Sequence, residues 1–124
     1  MLGKGSTATT WLAEDAEAGE QVAIKILDFQ AVESWKHVEL FEREARALAG
    51  LDHPAIPTLR DFFEVALEGA TQLVVVQDYV PGRPLSLLIE DDALLSAPAV
   101  EQIARGLLEV LEYLHGQSPP VVHR

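Results

Sequence analysis

The spacing of apolar side chains changes along the chain, and each change marks an element. Residues 9–13 (TTWLA) and 21–29 (QVAIKILDF) are rich in β-branched, aromatic and aliphatic residues and predict two strands. The polar stretch EDAEAGEQ, with Gly19, predicts the connection between them. From 33 to 49 the period lengthens. Val38, Phe41, Ala45 and Leu48 recur at steps of three and four, one apolar stripe on a helix that Gly50 closes. DHPAIP, with two prolines, predicts a turn, and TLRDFFEVA (58–66) and TQLVVVQDYV (71–80) predict strands about a Gly69 turn. PGRP at 81–84 is a connection by composition, followed by a short helix around 85–91. Ser96 can cap a longer helix over 97–116, with Pro98 tolerated in its first turn. Its apolar face carries Ile103, Leu107, Val110, Leu111 and Leu114, and QSPPVV then leads into a strand-like end. This order predicts an α+β fold: an antiparallel sheet with one helix packed on it over 1–80, then a mostly helical part over 81–124.

Composition narrows the function classes. The 124 residues are 48% hydrophobic and 23% charged, ordinary for a globular chain. A formal net charge of −11 argues against a nucleic-acid partner, because phosphate backbones are bound mainly through excess lysine and arginine. An anionic ligand would need a local cluster of donors. With no cysteine, disulfides and thiolate metal sites are excluded. No basic segment followed by an apolar stretch opens the chain, and no run approaches the ~20 apolar residues of a membrane span. A cytoplasmic domain is expected, whether free or the cytoplasmic part of a larger or membrane-anchored protein.

Three features run against their local rule. Strand alternation puts Ala23, Lys25 and Leu27 on one face and Val22, Ile24 and Ile26 on the other, so Lys25 sits between apolar neighbours. Glu44 borders the Phe41/Ala45/Leu48 stripe and is the helix carboxylate most nearly aimed at the sheet, whereas Glu42 and Arg46 form an ordinary i,i+4 surface pair. A lone inward carboxylate is costly, so Lys25 and Glu44 are natural partners. LGKGSTAT at 2–9 is glycine-rich just before a strand, where backbone N–H groups can approach an anion closely. Its spacing is too short for a P-loop, and a strand rather than a helix follows.

LGKGSTATT, VAIK, FEREARAL, LDHPAIPTL, LVVVQDYVPGRPL, LLEVLEYLHG and VVHR, in this order, resemble the N-terminal lobe and the start of the C-terminal lobe of a protein kinase of the Ser/Thr type. The resemblance covers essentially the whole chain. It implies that Leu2, Gly3, Lys4 and Gly5 belong to the loop covering the ATP phosphates, Gly3 and Gly5 being its first two glycines. It implies that Lys25 contacts the α/β-phosphates and pairs with Glu44. Ala23 matches the small residue packed on adenine, and Gln77 the residue guarding the back of the adenine pocket. Asp78, Tyr79 and Val80 match the hinge, whose backbone hydrogen-bonds adenine. His123 and Arg124 match the first two residues of the His-Arg-Asp catalytic loop.

The chain departs from the family pattern at Ala8, which replaces the third loop glycine, and at Thr10, which replaces a valine. A slightly less mobile loop, still able to bind phosphate, is expected. The resemblance also implies that the strand entering the loop starts earlier, and that the catalytic aspartate, the Mg²⁺-binding Asp-Phe-Gly and the remainder of the C-lobe lie beyond Arg124. The implied ligands are ATP with Mg²⁺, and the implied partners are a protein substrate and the missing C-lobe. The fragment alone is expected to be inactive. Rival readings are a pseudokinase-like interaction or scaffold module and a small-molecule phosphotransferase with a kinase-like fold. His53 reads as a structural turn residue and Trp11 and Trp35 as packing residues. His37 and His115 share no metal-ligand spacing with His123, so no metal site is assigned.

Overall fold

The computed structural model describes residues 1–5, 8–28, 35–67, 69–91 and 94–122. The predicted strand end at Phe29, the helix start at 33–34, and His123 with Arg124 lie outside the described residues. The chain forms two compact units. The first joins Met1–Asp52 with Pro57–Tyr79, and the second joins His53–Ile56 with the chain from Val80 onward.

The first unit is a five-stranded antiparallel sheet in the order β1-β2-β3-β5-β4. Its strands are β1 (Gly3–Lys4), β2 (Ala8–Glu14), β3 (Gln21–Asp28), β4 (Leu59–Leu67) and β5 (Ala70–Asp78), with helix α1 (Trp35–Ala49) between β3 and β4. Asp15 shapes the β2–β3 connection, its Oδ1 accepting the N–H groups of Glu17 at 2.9 Å and Ala18 at 3.2 Å. The β4–β5 hairpin pairs Leu67 with Ala70 across two residues, and Gly69 takes a φ of 82° that a side chain would resist.

The core follows from two periods meeting. Leu27 of β3 and Leu73 and Val75 of β5 project from one face of the sheet, onto Val38, Phe41 and Ala45 of α1. Ala8, Leu59 and Phe62 pack around this cluster. Fully burying a large aliphatic side chain contributes roughly 1.5–3 kcal/mol, which makes this stripe the main anchor of α1. Val22 and Val74, which alternate to the opposite face, are also buried.

Three features differ from the pattern-based expectation. The apolar pattern does not show β1, because two residues carry no period, although the resemblance implied a strand entering the loop. It exists because Leu2 donates to the Thr10 carbonyl at 2.8 Å and Gly3 and Lys4 pair with Thr10 and Thr9. β5 stops at Asp78 rather than Val80, because Val22–Asp78 is the last register pair with β3. Trp11 and Trp35 are exposed rather than part of the core; Trp35 opens α1 and lines a shallow depression with Val38, Glu42, Glu64 and Thr71.

The second unit contains α2 (Leu85–Glu90) and α3 (Ala97–His115). Ser96 caps α3, its hydroxyl oxygen accepting from the Ala99 N–H at 3.3 Å. An Arg83–Asp91 ion pair brackets α2. Leu114 is buried, and the ring of Tyr113 lies 4.9 Å from that of His53. His53 Nδ1 accepts the Ala55 N–H at 3.1 Å, a turn-forming role. Val121 and Val122 are not a strand, because the Val121 N–H is turned back onto the Leu114 carbonyl at 2.9 Å.

Candidate functional site

The centre of the site is an ion pair between strand and helix. Alternation along β3 turns Lys25 to the same side as Leu27, toward α1, while Glu44 lies next to the buried Ala45 on the helix. Lys25 Nζ donates to both oxygens of Glu44, at 2.7 and 2.8 Å, and sits 5.5 Å from the centre of the Phe41 ring. Two of the three ammonium N–H donors are therefore committed to one carboxylate. The side chains are 30% and 53% exposed, so the pair contributes only about 0.2–1 kcal/mol to stability. The geometry holds a cation at a fixed place, with one ammonium N–H donor not engaged by Glu44.

The residues around Lys25 are set by register. Lys25 lies between Thr10 of β2 and Val75 of β5, and Ala23 lies between Leu12 and Gln77. Gln77 pairs onward with Leu59, so Ala23 and Gln77 share a row one step from the Lys25 row. Ala23 is buried and Gln77 half-buried.

The glycine-rich segment forms the edge hairpin. Gly3 and Lys4 are strand residues, Leu2 is hydrogen-bonded to Thr10, and the Gly5 N–H donates to the Ala8 carbonyl at 2.8 Å. A Cβ built on Gly3 meets nothing within 4 Å, and one on Gly5 stands 3.4 Å from the Ala8 oxygen. Neither glycine is required by the turn; both leave the backbone N–H groups open to close approach. Ala8 is a β2 residue packed against the core, so its methyl group has a structural use.

A second charged cluster, not foreseen in the sequence, fixes the end of β5. Arg60 Nε donates to Asp78 Oδ1 at 2.6 Å, and Arg60 Nη1 lies 2.7 Å from Glu20 Oε2. The Thr58 N–H reaches Asp78 Oδ2 at 3.3 Å, while the Asp78 N–H donates to the Thr58 carbonyl at 3.0 Å. The register slips between Leu59 and Asp61, leaving Arg60 as the extra residue of a β-bulge, which re-aims its side chain. The bulge lets Leu59 and Phe62 both turn to the core although three positions apart, which simple alternation cannot achieve; with Phe62 and Phe63 adjacent, the sequence does not show which of them faces in. The hydrogen bond from Arg60, more than the other contacts, holds the Asp78 carboxyl below its ordinary range. Asp78 and then Glu20 raise the Arg60 guanidinium above its own. Asp15 is lowered by the backbone N–H groups of Ala18 and Glu17.

Among the described residues no group of three or more His, Asp or Glu side chains could hold a metal ion. No described helix is long and apolar enough to cross a membrane.

A sequence model of the protein kinase domain matches residues 1–124. The chain is 35% identical over 128 residues to the serine/threonine-protein kinase PksC of Streptomyces coelicolor, covering 100% of this chain and 23% of that protein. It is 32% identical to the probable serine/threonine-protein kinase SCO3848 of the same organism, covering 100% of this chain and 18% of that one. Serine/threonine-protein kinase C of Synechocystis is 34% identical, with 99% and 23% covered. The chain thus spans between 18% and 23% of the length of these relatives. With a family match along its full length, the chain belongs to the protein kinase domain family.

Proposed function

We propose that this chain is the ATP-binding part of a protein kinase that transfers the γ-phosphate of ATP to serine or threonine hydroxyls of a protein. The observation that carries the reading is the two-oxygen Lys25–Glu44 pair on the face that also bears Ala23. The names of the relatives support the serine/threonine class.

In this reading Glu44 fixes the Lys25 ammonium, and its remaining N–H donates to the α/β-phosphates of the substrate nucleotide. Leu2, Gly3, Lys4 and Gly5 cover the phosphates, with backbone N–H groups approachable because the glycines lack Cβ. Ala23 and Gln77, neighbours in one row, border the adenine, and the backbone of Asp78, Tyr79 and Val80 hydrogen-bonds its edge. Phosphoryl transfer depends mainly on positioning and charge, which these residues supply. Mg²⁺, when bound with the nucleotide, neutralises charge on the phosphates. His123 and Arg124 begin the loop that carries the base accepting the hydroxyl proton. The 124 residues contain no Asp-Phe-Gly sequence, so the isolated chain is expected not to transfer phosphate. In the same reading a cytoplasmic domain is expected, free or as the cytoplasmic part of a larger or membrane-anchored protein.

The test is Lys25→Met in the whole protein, which deletes the charge and keeps the apolar stem. Turnover should fall about 10²- to 10³-fold, the usual cost of removing one positioned donor, with an unchanged melting temperature. Full activity in the variant would reject the assignment. A pseudokinase would show no Lys25-dependent transfer in the wild type. A small-molecule phosphotransferase would label no protein hydroxyl.

A further inference from the structure

We propose that Arg60 is a positioning residue for the nucleotide base: it anchors Asp78, and through it the backbone of Asp78–Val80 that meets the adenine edge. The proposal rests on the nucleotide-binding reading of residues 78–80 above.

The problem Arg60 solves is visible in the register. The β3–β5 ladder ends at Val22–Asp78, so Tyr79 and Val80 have no strand partner to hold them. A backbone that must present N–H and C=O groups to a planar base needs its position defined to a fraction of an ångström. Asp78 is the last residue that can transmit such order, and it is held from several sides. Oδ1 accepts from Arg60 Nε, Oδ2 accepts from the Thr58 N–H, and its own N–H donates to the Thr58 carbonyl. Arg60 is in turn steadied by Glu20, from the β2–β3 connection. The segment 58–60 therefore grips the residue at which the ladder stops, and the β2–β3 connection is tied to it through Arg60.

Stability alone does not account for this arrangement. Glu20, Arg60 and Asp78 side chains are 57, 35 and 34% exposed, and ion pairs in such surroundings add little to folding. Yet the chain makes a β-bulge at Arg60, disturbing the edge strand to aim one guanidinium at two carboxylates. Only arginine has the planar fork that bridges two carboxylates at once; lysine is a single point charge. Specific geometry combined with slight stabilisation is what a positioning role requires.

The experiment measures ATP KM and kcat for the whole protein, and the inhibition constant of inorganic tripolyphosphate, which offers phosphates but no base. Arg60→Met should raise the KM for ATP about tenfold while kcat stays within about threefold and tripolyphosphate inhibition is unchanged. Arg60→Lys should recover part of the loss, and Glu20→Gln should produce a smaller rise in the same direction. Circular dichroism melts establish that each variant is folded; if Arg60→Met is not, Arg60→Lys and Glu20→Gln carry the test. An unchanged KM for ATP in the folded variants overturns the proposal, as does equal weakening of ATP and tripolyphosphate, which signals general structural loss. If the wild type shows Lys25-dependent turnover and the Arg60 variants match it, the positioning role fails and the nucleotide reading stands. If the wild type neither binds nor turns over ATP, both fall.

Discussion

Lys25 Nζ lies 2.7 Å from Glu44 Oε1, and this contact joins the middle strand of the sheet to the helix packed on its face. The pair is half in water, so its loss should be felt in chemistry before stability. Glu44→Ala is expected to change unfolding free energy by no more than about 1 kcal/mol. In the whole protein, turnover should drop well beyond tenfold, because Lys25 loses the group that orients it. Parallel thermal melts and initial rates decide the matter. A large drop in melting temperature with retained turnover would reverse the assignment.

The helix depends on a different set of contacts. Leu73 is 1% exposed and belongs to the cluster holding Val38, Phe41 and Ala45 against the sheet. Leu73→Ala should destabilise the fold by about 2–5 kcal/mol, through lost transfer energy and a residual cavity. That is a large part of a typical stability of ~5–15 kcal/mol. Truncating the exposed Leu40 on the outer side of α1 should cost far less. The denaturant midpoints of the two variants, compared at equal slope, measure the difference.

Acid should weaken the fold through Asp78. Its folded carboxyl titrates below the ordinary value of 3.8, chiefly because of Arg60. A depressed carboxyl contributes its full stability above the unfolded value and loses it as pH falls through the folded one. Asp15 acts with the same sign, through the Ala18 and Glu17 N–H groups. Arg60 has the opposite sign, but its pKa is raised above the already high ordinary value of a guanidinium, chiefly by Asp78, so its contribution is lost only in strong alkali. The stability difference between wild type and Asp78→Asn should therefore be flat from about pH 5 to 8 and shrink below about pH 4. Urea titrations across that range test it, and a difference that persists undiminished at low pH would refute the Arg60–Asp78 explanation.

Expressed alone, the 124-residue chain should associate. Leu107 and Leu108 on α3 are 57 and 66% exposed, and Val100 and Ile89 are exposed with them. Apolar surface of this kind favours self-association. Sedimentation should show mass rising with concentration, and no Lys25-dependent ATP turnover should accompany it. A stable monomer that transfers phosphate would contradict both expectations.

The periods of the chain determined by themselves which face of each main element is buried. Val38, Phe41 and Ala45 could only form one stripe on a helix, and alternation could only place Lys25 with Ala23 and Leu27. Side-chain direction is a local property of helix and strand, so sequence spacing reports it directly. Glu44 was legible for the same reason, one step from that stripe. Tertiary structure decided what depends on a partner strand. β1 exists only because Thr9 and Thr10 are there to pair with it, and β5 ends where its register with β3 ends. The turn of Val121 back onto Leu114 likewise depends on the helix end it meets. Arg60 is the clearest case: its neighbours Leu59 and Asp61 face Gln77 and Val76, and the residue between them is displaced to reach Asp78 and Glu20. A bulge is a relation between two strands, so only the assembled sheet could show the irregularity and name the carboxylates it serves.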